Sequence, residues 1–182
     1  MALRRVSRFG RSPPCNAWPE VPTPISHAAV GLAIAAWTEP GVATRRAYIV
    51  AAACAALPDI DVVGSLFHVS NASLFGHRGI THSLAFALAG AGLAAMLFFR
   101  GNARMSGVLS LAFLSHACLD ALSTYSVGIA FFAPFSPQRY RFLWTPLGVR
   151  SGSVGGQIIQ EAVVVLLPAL LIAWMGIKAR RR

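Results

Sequence analysis

The run Gln157–Ile177, QIIQEAVVVLLPALLIAWMGI, decides the fold class. It supplies the ~20 mostly apolar residues that a helix needs to cross a bilayer. Pro168 predicts a kink within it, and Lys178-Ala179-Arg180-Arg181-Arg182 closes it with a basic stop. Ser83–Phe99 carries no charge, and Ala87, Ala91 and Ala95 recur every four positions, which suits close helix packing in lipid. Met105–Leu122 reads as a further helix. Two shorter stretches come first: Ser26–Trp37, with Ser26 as N-cap and Glu39-Pro40-Gly41 as stop, and Ala43–Leu57, stopped by Pro58. Both fall short of a comfortable span, so this first hairpin reads as thin, tilted or partly inserted. Thr124–Phe135, broken by Gly128 and Pro134, reads as a re-entrant or interfacial piece.

Composition agrees. The chain has 182 residues, 55% hydrophobic and only 12% charged, against the usual ~25% charged. Its 16 Lys+Arg against 6 Asp+Glu give a net charge of +10. Nucleic-acid binding would need a large polar surface that the apolar runs leave no room for, so no nucleic-acid partner is expected. A membrane protein with basic flanks explains both numbers. The expected architecture is an all-α, multi-pass transmembrane bundle of four to six helices in a single domain, residues 25–182. Residues 1–24, basic and Pro-rich, read as a flexible tail. The basic start favours a cytoplasmic N-terminus. Cys15, Cys54 and Cys118 read as free thiols.

The few ionisable residues are not scattered. His27 opens the first helix, and Asp59 and Asp61 follow the second. His77 and His82 precede the third, in a Gly-hinged loop that Thr81 is placed to cap. His116 and Asp120 lie one turn apart at the end of the fourth, on one helix face. In an antiparallel bundle the start of helix 1, the end of 2, the start of 3 and the end of 4 share one membrane face. Three Asp and four His then gather there. Acidic groups at the edge of a bilayer need partners, and a divalent cation suits carboxylate and imidazole together. Zinc is the first expectation, with manganese or iron as alternatives. The ligand number leaves two readings: paired ions that activate a water, or one ion with a spare Asp or His as acid and base.

The blocks TPISH (Thr23–His27), LPDID (Leu57–Asp61), GHRGITHS (Gly76–Ser83) and SHACLD (Ser115–Asp120) resemble the YdjM-like family of inner-membrane, metal-dependent hydrolases. The likeness runs from Thr23 to about residue 145, with HRGxTHS its most specific part. The basic stretch before Thr23 departs from the pattern. The resemblance implies a bacterial or archaeal multi-pass inner-membrane protein with its metal site at these His and Asp.

Asp59, Asp61, His77, His82 and His116 are therefore the candidate ligands, with His27 and Asp120 as ligands or proton-handling catalytic residues. Arg78, Arg139 and Arg141 are candidates to hold an anionic substrate, since guanidinium matches phosphate geometry. Each has a plainer reading: His27 as an interfacial histidine, His116–Asp120 as an internal hydrogen bond, the arginines as an interfacial belt. His68 matches no block and reads as a loop residue, and Glu161 receives no role. The expected function is hydrolysis of an ester or phosphoester by a metal-activated water, on a lipid or small amphipathic substrate. The alternative is a non-enzymatic metal-binding or metal-transporting membrane protein.

Overall fold

A computed structural model describes residues 3–6, 22–39, 41–70, 73–124, 128–148 and 154–181. The chain is mostly helical. In order it forms a short strand β1 (Leu3–Arg5), then α1 (Pro24–Ala35), α2 (Arg45–Ala56), a 3₁₀ segment (Leu57–Phe67), a single 3₁₀ turn (Ile80–His82), α3 (Leu84–Phe99) and α4 (Ala103–Ala121). The strand β2 (Tyr140–Phe142) and a final rod follow. The rod runs through α5 (Val154–Glu161), a π turn (Ala162–Leu166) and α6 (Leu167–Ala179). β1 and β2 pair antiparallel, Arg4 opposite Arg141. Most of the 1–24 tail lies outside the described residues.

Helix ends differ from the expected ones for local reasons. Thr23, extended at φ −78° and ψ 159°, is the N-cap of α1, because Pro24 at N1 is already set for a helix and lacks the N–H that a cap would satisfy. Ser26 is therefore one turn in and buried. α3 is capped by Ser83, whose hydroxyl accepts from Phe86 N at 3.1 Å, and not by Thr81. Pro58 ends α2 without releasing the chain into a loop. It enters a 3₁₀ segment at a point where its missing N–H costs little. Pro168 sits just after the π turn; its ring crowds the carbonyl four residues back, and one wider turn is the local adjustment.

α1 packs on α2, α4 and α6, α2 packs on α4, and α3 packs on α4. Small residues set these distances. A Cβ on Gly31 would meet the Ala55 Cβ at 2.8 Å, so α1 and α2 touch backbone to backbone there. Ala87, Ala91 and Ala95 of α3 are all buried, in a core shared with Met105, Leu109 and Phe113 of α4.

Two helical segments are long and apolar enough to cross a membrane, Arg45–Gly64 and Val154–Ala179. α1 and α3 are shorter apolar helices. Large apolar side chains point outward along α3 (Leu88, Leu93, Met96, Leu97) and along the last rod (Ile158, Val163, Leu170, Trp174). Cys54 and Cys118 are free thiols.

Candidate metal centre

The antiparallel packing delivers four chain segments to one end of the Ala-rich core. His27 comes from the first turn of α1 and Asp59 from the 3₁₀ segment beyond α2. His82 ends the turn before α3, and His116 and Asp120 occupy the last turns of α4. His27, His82, His116 and Asp120 are all buried, and Asp59 is the one side chain of the five left partly open, at 19%. One donor atom from each of Asp59, His82, His116 and Asp120 lies within 4.8 Å of the others.

Hydrogen bonds fix which ring nitrogen faces inward. His116 Nδ1 is 2.7 Å from the Ala55 carbonyl, which can only accept. Nδ1 therefore carries the hydrogen, and Nε2 presents a lone pair to the centre. The Thr81 hydroxyl donates to Asp61, so toward His82 Nδ1, 3.0 Å away, it too can only accept. His82 Nε2 is then the second lone pair. The two Nε2 atoms are 2.9 Å apart, with Asp59 Oδ1 at 3.3 Å from His116 Nε2 and Asp120 Oδ2 at 3.5 Å from His82 Nε2.

Two lone pairs and two carboxylates facing each other in a buried space call for a positive charge between them. Burial opposes a charged His82, yet hydrogen bonds to the Asp120 and Asp61 carboxylates raise its pKa above the ordinary histidine value; a proton on Nε2, donated to His116 Nε2, answers the same demand for positive charge that a cation would. His27 adds a second sign. Its ring stacks on His116 at 3.7 Å between centroids. Both its ring nitrogens are buried without a hydrogen-bond partner among the described residues, although Nε2 approaches Asp120 Oδ1 to 3.3 Å. This donor set fits a divalent cation with nitrogen and oxygen ligands.

Asp59 and Asp61 part company. In a 3₁₀ segment, residues two apart point ~120° away from each other. Asp59 turns to the centre, while Asp61 turns to the neighbouring loop. There it accepts from His77 Nδ1 at 2.6 Å, from the Arg78 backbone N at 3.1 Å and from the Thr81 hydroxyl. His77 thus meets Asp61, with its ring 5.6 Å from that of His82. Asp61, His77 and His82 form a second possible donor group.

The arginines are occupied by the protein itself. Arg78, in the left-handed region at φ 65°, donates from Nε to Asp120 Oδ2 at 2.7 Å. Gly79 follows because a Cβ there would collide with the Leu74 carbonyl. Arg139 is buried, and its guanidinium donates to the carbonyls of His77, Arg78, Gly128 and Ser73 at 3.0–3.3 Å. Burial and the Arg78 charge lower its pKa from the ordinary arginine value. It is a clamp on the HRG loop, where the sequence suggested a substrate ligand. Arg141 is two residues on and donates to the Thr124 carbonyl at 3.1 Å.

Glu161 is a residue whose role sequence reasoning missed. It is buried, and its Oε1 accepts from the Thr23 hydroxyl at 2.8 Å and the Thr23 backbone N at 2.5 Å. That ties the last rod to the start of α1, one turn before His27. A lone acid inside an apolar run was the available signal.

The sequence model of the family described as YdjM inner membrane protein matches residues 23–182. The chain belongs to that family. The match starts at Thr23, the cap of α1, and spans every residue of the cluster as well as Glu161. The chain is also 34% identical over 167 residues to the inner membrane protein YbcI of Escherichia coli (strain K12), covering 85% of this chain and 96% of that protein. No solved structure matches. As a YdjM family member the protein belongs at an inner membrane, which accounts for the outward-facing Leu, Ile and Trp of α3 and the last rod.

Proposed function

We propose that this protein is a multi-pass inner-membrane hydrolase that uses a divalent cation, zinc before manganese or iron, to cleave an ester or phosphoester. The carrying observation is the pair of inward Nε2 atoms of His82 and His116, 2.9 Å apart, flanked by Asp59 and Asp120. Asp59, His82, His116 and Asp120 would hold the cation, which would supply Lewis acidity toward a carbonyl or phosphoryl oxygen and lower the pKa of a water. Ala55 and Asp61 hold the two imidazoles in the tautomer that binds. Arg78 orients Asp120 through the 2.7 Å bond from its Nε to Oδ2. His27 stacks on His116 with Nε2 3.3 Å from Asp120 Oδ1, where it would take a proton from the attacking water and pass it to the leaving oxygen.

The partly open side of the centre is at Asp59. The 3₁₀ segment that carries Asp59 exposes Ile60, Val63, Leu66 and Phe67. An apolar rim beside a polar centre suits an amphipathic or lipid substrate, with its reacting group at Asp59 and its tail along the rim. The outward apolar faces of α1, α3 and the last rod support more than two crossings.

A metal transporter would carry polar ligands through the depth of the helices. Beyond His116 the interior is instead lined by Ala112, Phe113, Leu109 and Met105, which favours the enzyme. The test is a screen of detergent-purified protein against phosphomonoesters, phosphodiesters and carboxylic esters, with His82→Ala beside wild type. Metal-dependent turnover lost in the variant supports the reading; equal turnover in both overturns it.

A further inference from the structure

We propose that the centre takes one cation per chain, and that Asp61 is a positioning residue for it and not a ligand. The inference rests on the metal reading above. Seven candidate side chains could fill two sites, and His82 touches both donor groups, Asp61 with His77 on one side and Asp59, His116 and Asp120 on the other. Two ions would require His82 to bridge them with lone pairs on both nitrogens.

The hydrogen-bond directions oppose that bridge. His82 Nδ1 faces Asp61 Oδ2 at 3.2 Å and the Thr81 oxygen at 3.0 Å, and both are acceptors toward it. Nδ1 therefore holds a hydrogen and has no lone pair to give. Asp61 is itself saturated. Oδ1 takes His77 Nδ1, and Oδ2 takes the Arg78 amide and the Thr81 hydroxyl together with His82 Nδ1. A carboxylate that receives four protein donors has little left for an ion. What it does instead is orient an imidazole whose other nitrogen binds, and make that nitrogen a stronger donor. His77, turned to the same carboxylate by Nδ1, belongs to this support. Its backbone is pinned by Arg139, so the whole HRGITH block is a frame that aims His82.

The contrast with Asp59 is sharp. Asp59 lies nearer the ring nitrogens that carry lone pairs, with Oδ1 3.3 Å from His116 Nε2 and 3.9 Å from His82 Nε2. Two acids two residues apart thus take different work, because the 3₁₀ turn splits them.

The experiment is metal counting by mass spectrometry, with zinc affinity by competition against a chromogenic chelator, on full-length protein in detergent. Wild type, Asp61→Asn, Asp59→Asn and Thr81→Val are compared. The inference expects one zinc per wild-type chain. Asp61→Asn and Thr81→Val should still bind one, about 10–100-fold more weakly, as loss of an outer partner does. Asp59→Asn should lose the ion at concentrations where Asp61→Asn keeps it. Two ions in wild type, or an Asp61→Asn chain that drops from two to one, overturns the inference and leaves the metal reading intact. No ion in wild type overturns both. Should Asp61→Asn fail to fold, the wild-type count and Thr81→Val decide.

Discussion

His82 and His116 face each other through Nε2 atoms 2.9 Å apart, and each turns its Nδ1 to an acceptor, Asp61 and Thr81 for one and the Ala55 carbonyl for the other. The partners come from opposite ends of the chain's logic. Asp61 and Thr81 belong to recognisable motif blocks, while Ala55 is an ordinary helix residue whose carbonyl is available because α2 ends there.

Chelation tests the energetic side of this arrangement. A cation that binds the folded chain stabilises it by RT ln(1 + [L]/Kd), ~2.7 kcal/mol at a hundredfold excess over Kd. Stripping metal should lower the unfolding temperature by several degrees, and zinc should restore it. The His116→Ala variant should show no response to either step in the same thermal scan.

Gly31 sets the α1–α2 contact that brings Ala55 to His116. In Gly31→Val the side chain must displace Ala51 and Ala55. The expected cost is ~1–3 kcal/mol of overpacking. Because the Ala55 carbonyl moves too, metal affinity should fall with stability. Denaturant titration and zinc competition on the same preparation check both.

Arg139 holds four carbonyls with one guanidinium. Arg139→Lys keeps the charge but cannot make this fork. Carbonyls left unpaired in a buried place cost ~1–3 kcal/mol. The variant should lose thermal stability and protection of the 73–83 backbone in hydrogen exchange. A substrate-binding arginine would give the opposite pattern: raised KM with the stability untouched.

Glu161→Ala strips Thr23 of its acceptor across the helix pair. We expect ~1–3 kcal/mol lost, and Glu161→Gln, which retains a carbonyl acceptor, should recover much of it. Thermal melts of the two variants beside wild type measure the difference.

The sequence made the polar cluster legible because its logic is one-dimensional. Short connections make neighbouring helices antiparallel, so residues at alternate helix ends must meet, and His27, Asp59, His82, His116 and Asp120 do. Roles within the cluster were less legible. Whether Asp59 and Asp61 act alike depends on the turn that carries them, and Pro58 reads as a stop whether an irregular loop or a 3₁₀ segment follows. The cap of α3 could be Thr81 or Ser83, and only the geometry shows that Ser83 caps while Thr81 binds Asp61. Arg139 reaches the carbonyls of Ser73, His77 and Arg78 across 61 or more residues of chain, and Glu161 reaches the Thr23 hydroxyl and amide across 138, contacts that leave no trace in the local sequence pattern. Their work becomes visible only once the chain is folded.

The most direct test is anomalous X-ray diffraction at the zinc edge from crystals of the metal-loaded protein. The account expects a single peak among Asp59, His82, His116 and Asp120, ~2.0–2.1 Å from the two Nε2 atoms. A map with no peak there, or a peak held by other residues, would contradict it.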